Sequence, residues 1–115
     1  ADDFLNAVIE IGYDDEAQTL HRALRGIEAR LGRSPEHERN APRTVDLDLL
    51  YFGASLLDTA QLKIPHPRMF DRRFVLQPLA DIRPDLVLPS QTRTVAELLH
   101  ELADTSRVVR AAAQW

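Results

Sequence analysis

Two aspartates stand inside an otherwise apolar run, and that placement constrains the chain more than any other feature. In PRTVDLDLLYFG (42–53), Asp46 and Asp48 alternate with Val45, Leu47, Leu49 and Leu50, in what reads as a strand over Val45–Phe52 ended by Gly53. A buried carboxylate without a partner is costly, so these acids must face something. Strand side chains alternate, so the two project from one face, roughly 6.5–7 Å apart at the backbone. Leu47, Leu49 and Tyr51 take the opposite face toward the core, while Leu50 and Phe52 continue the aspartates' face as apolar. That face is wet at one end only, as the floor of a pocket is. Two carboxylates so spaced converge on one or two divalent cations, and hard oxygen ligands favour Mg²⁺, which commonly takes one or two carboxylates plus phosphate and water. The plainer alternative is a strand with one solvated polar face.

Arginines around the pair weigh toward a site. Arg33, Arg39 and Arg43 occupy the polar stretch RSPEHERNAPR (33–43) that leads into the aspartates, and Arg72 and Arg73 follow later, near His66. The stretch is longer than a typical connection, and long loops in compact domains are often functional. Guanidinium groups beside carboxylates are counter-ions or phosphate clamps. As surface ion pairs they contribute only about 0–1 kcal/mol each. Beside an Asp-x-Asp they point instead to phosphoryl transfer, in which cations neutralise charge while the site aligns the nucleophile. The chain has no P-loop, no kinase glycine-rich loop and no dinucleotide fingerprint, so metal and side chains must hold the phosphates. His66, between two prolines in IPHPR, is held for a positioned role, whereas His21, His37 and His100 read as solvated.

The rest of the chain supplies the frame. Residues Phe4–Tyr13 alternate as a strand with a dry face (Leu5, Ala7, Ile9, Ile11) and a mixed face (Phe4, Asn6, Val8, Glu10). Leu20, Leu24, Ile27 and Leu31 form the apolar stripe of a helix, with Asp15 and Gln18 placed as a capping box, Arg30 suiting the negative end and Gly32 as the residue past the end. A turn and a short LKI strand are expected over Ala54–Ile64. Short helical turns set off by prolines follow over 65–89, and a helix opened by the Thr94–Glu97 capping box runs to about Ala103 with Val95, Leu98, Leu99 and Leu102 inside. Strand, helix, strand and short helices give an α/β or α+β sandwich. A chain of 115 residues makes one domain with a modest core, taken as 1–115. Its net charge of −4 argues against a nucleic-acid or membrane-surface binder. The absence of cysteine excludes disulfides and thiolate metal sites. With no bilayer-length apolar run and no signal peptide, a cytoplasmic location is expected.

These motifs together carry a resemblance. PRTVDLDLLYFG, followed by IPHPRMFDRRFVLQPLADIRPDLVLP (64–89), resembles the 6-hydroxymethyl-7,8-dihydropterin pyrophosphokinases of folate biosynthesis, and DDFLNAV and IEARLGR match that family around the first strand and the helix end. The resemblance implies a ferredoxin-like α+β sandwich, an antiparallel sheet with helices packed on it. It implies transfer of pyrophosphate from ATP to the pterin hydroxymethyl group with release of AMP, dependent on two Mg²⁺ ions. It places the metal on Asp46 and Asp48, and catalysis on those two with Arg33 and Arg43. ATP contacts fall to Glu28, Arg39, His66 and Arg72, and pterin contacts to Phe4, Asn6 and Phe74. No general base stands out, which leaves positioning and electrostatics to carry the reaction.

The chain departs from the family in two ways. The family's N-terminal strand, helix and second strand are not in this sequence, so 1–115 is expected to be the C-terminal two-thirds or more of the domain. The sheet is then expected to show an edge open to a second copy or to a complementing N-terminal segment. The alternative is a truncated, non-catalytic homologue that keeps nucleotide binding or serves assembly. Pro35, Glu36 and Asn40 also lower the loop's positive charge relative to some members, which predicts altered kinetics for the same reaction.

Overall fold

The computed structural model describes residues 6–31, 46–102 and 108 of the chain. In order these hold helix α1 (Ala17–Leu31), a hairpin of β1 (Leu57–Asp58) and β2 (Lys63–Ile64), a 3-10 turn (Met69–Asp71), helix α2 (Arg73–Ile82) and helix α3 (Val95–Glu101). Helices beside an antiparallel strand pair make an α+β arrangement. No described helix is long and apolar enough to cross a membrane.

The largest difference from expectation is in the two strands. Residues 6–13 and 46–52 form no strand; the described sheet is the β1–β2 pair, with Leu57 opposite Ile64 and Asp58 opposite Lys63. The expected LKI strand is β2. The 46–52 segment is held by other means. Its Leu47 peptide is bound by side chains of α1, and its Leu50 carbonyl accepts from the His66 N–H at 2.7 Å. It also runs between two apolar clusters. Leu50 and Tyr51 pack on Met69, Leu76, Leu79, Leu88 and Val95, while Leu49 and Phe52 pack on Ala17, Leu62 and Ile64. Two consecutive residues thus share a cluster, which strict alternation along a strand does not allow. Gly53 closes the segment at φ 55°, in a turn where the Ser55 N–H reaches the Phe52 carbonyl at 3.0 Å; only glycine adopts that φ freely.

The faces of the N-terminal segment are reversed from the expected ones. Ile9 and Ile11 are exposed, whereas Val8 packs on the larger cluster. The reason lies in Glu10, whose carboxylate accepts from the Tyr51 hydroxyl at 2.9 Å and pairs with Arg83 at 3.2 Å. These bonds draw the Val8–Glu10 side against the body of the protein.

Helix α1 also differs in detail. The Asp15 carboxylate accepts from the adjacent Glu16 N–H at 2.7 Å, and the Glu16 carbonyl takes the first helical bond, from Leu20. Glu16 is therefore the N-cap, one residue later than expected. The helix buries Ala17, Leu20 and Glu28, and Leu31 at the end of the expected stripe is exposed.

The C-terminal part follows expectation more closely. Instead of short turns, 73–82 is one ten-residue helix with Pro78 inside it. Proline there removes the bond to the Phe74 carbonyl, but Leu76 and Leu79 on either side are fully buried. Burial of a leucine contributes about 1.5–3 kcal/mol, which offsets the missing bond. The α3 capping box forms as read: Glu97 N–H donates to Thr94 Oγ1 at 3.1 Å, and Thr94 N–H to Glu97 Oε1 at 2.8 Å. The next amides, Val95 and Ala96, donate to the carbonyls of Leu86 and Pro84. The start of α3 is thereby tied to the turn that α2 leads into, and α2 packs on α3.

Candidate active site

One face of α1 builds the floor of the site. His21, Arg25 and Glu28 are spaced four and three apart and so lie above one another on the helix. Glu28 is only 2% exposed. Its carboxylate accepts from the Leu47 N–H at 2.5 Å through Oε2 and pairs with Arg25 Nε at 3.2 Å through Oε1. Arg25 Nη2 in turn donates to the Leu47 carbonyl. Leu47 separates the two aspartates, so α1 grips the peptide between them. Asp46 and Asp48 themselves are exposed.

A cavity of about 290 Å³ opens beside this grip, lined in part by His21, Arg25, Asp48, Gln61, Lys63 and His66. The hairpin and the IPHPR segment thus bring His66 to the same hollow as Asp48, from 18 residues further along the chain. His66 is fixed three ways. Its N–H donates to Leu50, its carbonyl accepts from Met69 at 3.2 Å, and its Nδ1 accepts from the Arg68 N–H at 3.2 Å. With Nδ1 accepting, the neutral ring carries its proton on Nε2, which is left to donate. Arg72 and Phe74 also meet, the guanidinium lying 5.4 Å from the ring centroid. This is a cation–π contact, and it leaves Phe74 39% exposed.

Of the other residues expected at the site, Asn6 is exposed and is not among the cavity's lining side chains. Phe4, Arg33, Arg39 and Arg43 lie outside the described residues. Sequence reasoning missed His21, Arg25, Gln61 and Lys63. His21 is not solvated as expected: it is partly buried, and its Nδ1 is enclosed with no hydrogen-bond partner among the described residues. The available signal was the four-and-three spacing of His21, Arg25 and Glu28 on a helix read only for its leucines. His100, by contrast, is exposed near the end of α3 as expected.

Among the described residues no three or more His, Cys, Asp or Glu side chains group as a metal cage. Two exposed carboxylates flanking a pinned peptide fit a cation that completes its shell with water and phosphate, which is the habit of Mg²⁺.

Comparison with known proteins identifies the family. The family model of 7,8-dihydro-6-hydroxymethylpterin-pyrophosphokinase matches residues 1–84, which include the cavity, both aspartates and His66. The chain belongs to that pyrophosphokinase family. A 2-amino-4-hydroxy-6-hydroxymethyldihydropteridine pyrophosphokinase of Pseudomonas aeruginosa is 47% identical over 96 residues, covering 84% of this chain and 58% of the relative. One from Synechocystis sp. is 38% identical over 104 residues, covering 90% of this chain and 53% of the relative. A folic acid synthesis protein of Dictyostelium discoideum is 38% identical over 89 residues, covering 77% of this chain and 13% of that longer protein. The chain therefore spans little more than half the length of the two bacterial pyrophosphokinases.

Proposed function

We propose that the protein transfers the β,γ-pyrophosphoryl group of ATP to the hydroxymethyl oxygen of 6-hydroxymethyl-7,8-dihydropterin, releasing AMP, as a step of folate biosynthesis. The observation that carries the reading is the convergence of Asp48 and His66 on one cavity inside the family-matched region. ATP and the pterin are the substrates. The fold is ferredoxin-like, and residues 1–115 act as one domain. The protein is read as cytoplasmic, in keeping with the absence of a membrane-spanning helix among the described residues. The exposed Ile9 and Ile11 offer a surface for a second copy.

In the reaction the pterin hydroxyl oxygen attacks the β-phosphorus. The bond from that phosphorus to the α,β-bridging oxygen breaks, AMP leaves with the bridging oxygen, and the hydroxyl proton is released. Asp46 and Asp48 would hold two Mg²⁺ ions, which would supply positive charge against that of the transferring group. With those cations held, Asp46 and Asp48 would set the orientation of the triphosphate for in-line attack. Arg25 and Lys63, on the cavity wall, supply positive charge to the nucleotide, and His66 donates from Nε2 to a phosphate oxygen. Arg33, Arg39 and Arg43 engage the phosphates. Arg72 lies at the boundary of the two substrates. Phe74 offers its open face to the flat pterin ring, which Phe4 covers from the other side while Asn6 hydrogen-bonds its edge.

Calorimetric titration tests this reading. A non-hydrolysable ATP analogue with Mg²⁺ should bind, 6-hydroxymethylpterin should then bind to that complex, and Asp48→Ala should abolish both steps. Unchanged binding in Asp48→Ala, or no binding to the folded native protein, contradicts it.

A further inference from the structure

Leu47, the residue between the two acids, has both backbone groups claimed by one side-chain pair. Its N–H donates to Glu28 and its carbonyl accepts from Arg25, and those two side chains are paired with each other across one helical turn. The pair gives Leu47 what a neighbouring strand gives a residue in a ladder, one acceptor and one donor. This explains how a segment without a strand partner among the described residues is nonetheless fixed. It also explains a buried carboxylate on α1. A buried ion pair is weak evidence for stability, because apolar side chains of similar size usually serve a core as well or better. Glu28 lies at a position where an apolar residue suits the helix, and its Oε2 is directed to the Leu47 N–H, in the first of the two peptide groups between Asp46 and Asp48. Arg25 additionally lines the cavity with Asp48 and His66, so the grip adjoins the hollow that Asp48 itself enters.

We propose that Arg25 and Glu28 are positioning residues, a side-chain clamp on the Leu47 peptide that fixes how Asp46 and Asp48 present their carboxylates to a metal–nucleotide complex. This rests on the function proposed above. Residues that orient metal ligands typically change metal affinity by about 10–100-fold when removed. The clamp requires only an acceptor at residue 28. A residue that itself touches the cation or the nucleotide phosphates requires the charge and geometry of a carboxylate. Glu28→Gln and Glu28→Ala therefore separate the two roles.

Two readouts on the full chain decide it. The first is amide hydrogen exchange by NMR without ligand. Glu28→Ala should speed exchange at Leu47 by about tenfold or more while the Leu76 and Leu79 amides keep their protection, since local opening is separable from global unfolding. Glu28→Gln should stay within about threefold of wild type. The second is Mn²⁺ titration in the presence of ATP, followed by electron paramagnetic resonance. Glu28→Ala should weaken Mn²⁺ binding by about 10–100-fold and Glu28→Gln by no more than about threefold. Equal Mn²⁺ affinity in Glu28→Ala and wild type overturns the clamp. A loss in Glu28→Gln as large as in Glu28→Ala, with Leu47 protection kept, also overturns it and makes Glu28 a direct ligand. If Glu28→Ala loses its core protection too, Glu28→Gln alone decides by the same criterion. A wild-type chain that binds no Mn²⁺ with ATP overturns the proposed function and, with it, the clamp's role. Binding in wild type that survives Glu28→Ala removes the clamp alone.

Discussion

The region around Leu76 and the region around Leu47 are held by different physics. Met69, Leu76, Leu79, Leu88 and Val95 form a dry cluster between α2 and α3, with all but Leu88 wholly enclosed. Around Leu47 the backbone is held by charged and polar side chains, Glu28 and Arg25 on one side, and by the His66 amide three residues on. The first region supplies stability through non-directional burial. The second supplies direction, because each hydrogen bond specifies an angle as well as a distance. The proposed transfer needs both, and here they are separated along the chain. The acid-bearing segment touches the dry cluster only through Leu50 and Tyr51, so chemistry and stability should respond to different substitutions.

The sharpest way to break this comparison is to remove an acid. Asp48→Ala should lower the rate of AMP formation by about a thousandfold or more, since metal-borne charge stabilisation amounts to several kcal/mol. Asp48 is exposed, so stability should change by no more than about 0.5 kcal/mol. Steady-state rates beside a denaturant melt check both halves of the prediction. The converse is Leu76→Ala. Truncating a wholly buried leucine should cost about 2–5 kcal/mol of unfolding free energy, read from denaturant curves, while the nucleotide affinity of the folded fraction stays the same. A smaller effect in the same region is Thr94→Ala, which opens the α3 capping box and should cost about 1 kcal/mol, again with affinity unchanged.

Acidity and alkalinity give the smallest effects and one useful contrast. Burial, together with the bond to Glu10, pushes the Tyr51 hydroxyl up to about 12 from its ordinary 10.0. Between those values the unfolded chain binds fewer protons than the native one, so stability is fully present below pH 10 and falls as pH rises toward 12. Tyr51→Phe should flatten that alkaline limb in melts taken across it. Glu97 is shifted the other way, below 4.5, by its hydrogen bonds from Thr94. Its contribution is present above pH 4.5 and is lost as pH falls through the lowered value. Glu97→Gln should reduce the acid sensitivity of the α3 end and leave the alkaline limb untouched.

The two regions were also unequally legible in the sequence. The α3 capping box is a local pattern of four residues and appears as read. The core of the last helices follows from apolar spacing, although Pro78 hid the continuity of α2, because helix propensity sees the missing N–H and not the burial of Leu76 and Leu79. Around the acids the alternation over Val45–Phe52 reads as a strand, and 46–52 forms none. Alternation reports which residues want burial, and a segment lying between two clusters satisfies that without a ladder. The same ambiguity reversed the faces of 6–13, where the outcome was decided by Tyr51 and Arg83 reaching Glu10 from 41 and 73 residues away. Asp48 and His66 were visible as motifs, yet Arg25, His21 and Lys63 were not. Their part depends on which helix face and which hairpin meet the cavity, and that is a tertiary fact. Glu28 was noticed through the family resemblance, but its partner, a backbone amide 19 residues on, leaves no trace in the order of side chains.

The central claim is that the acids and the cavity serve pyrophosphoryl transfer to a pterin. It is tested most directly by supplying ATP labelled on the γ-phosphate together with 6-hydroxymethyl-7,8-dihydropterin and following both products. The account predicts one AMP for each label that appears in the pterin, with no label in inorganic phosphate and none of this in Asp48→Ala. Formation of ADP, release of the label as phosphate, or a folded native protein that leaves ATP intact with the pterin present would contradict it.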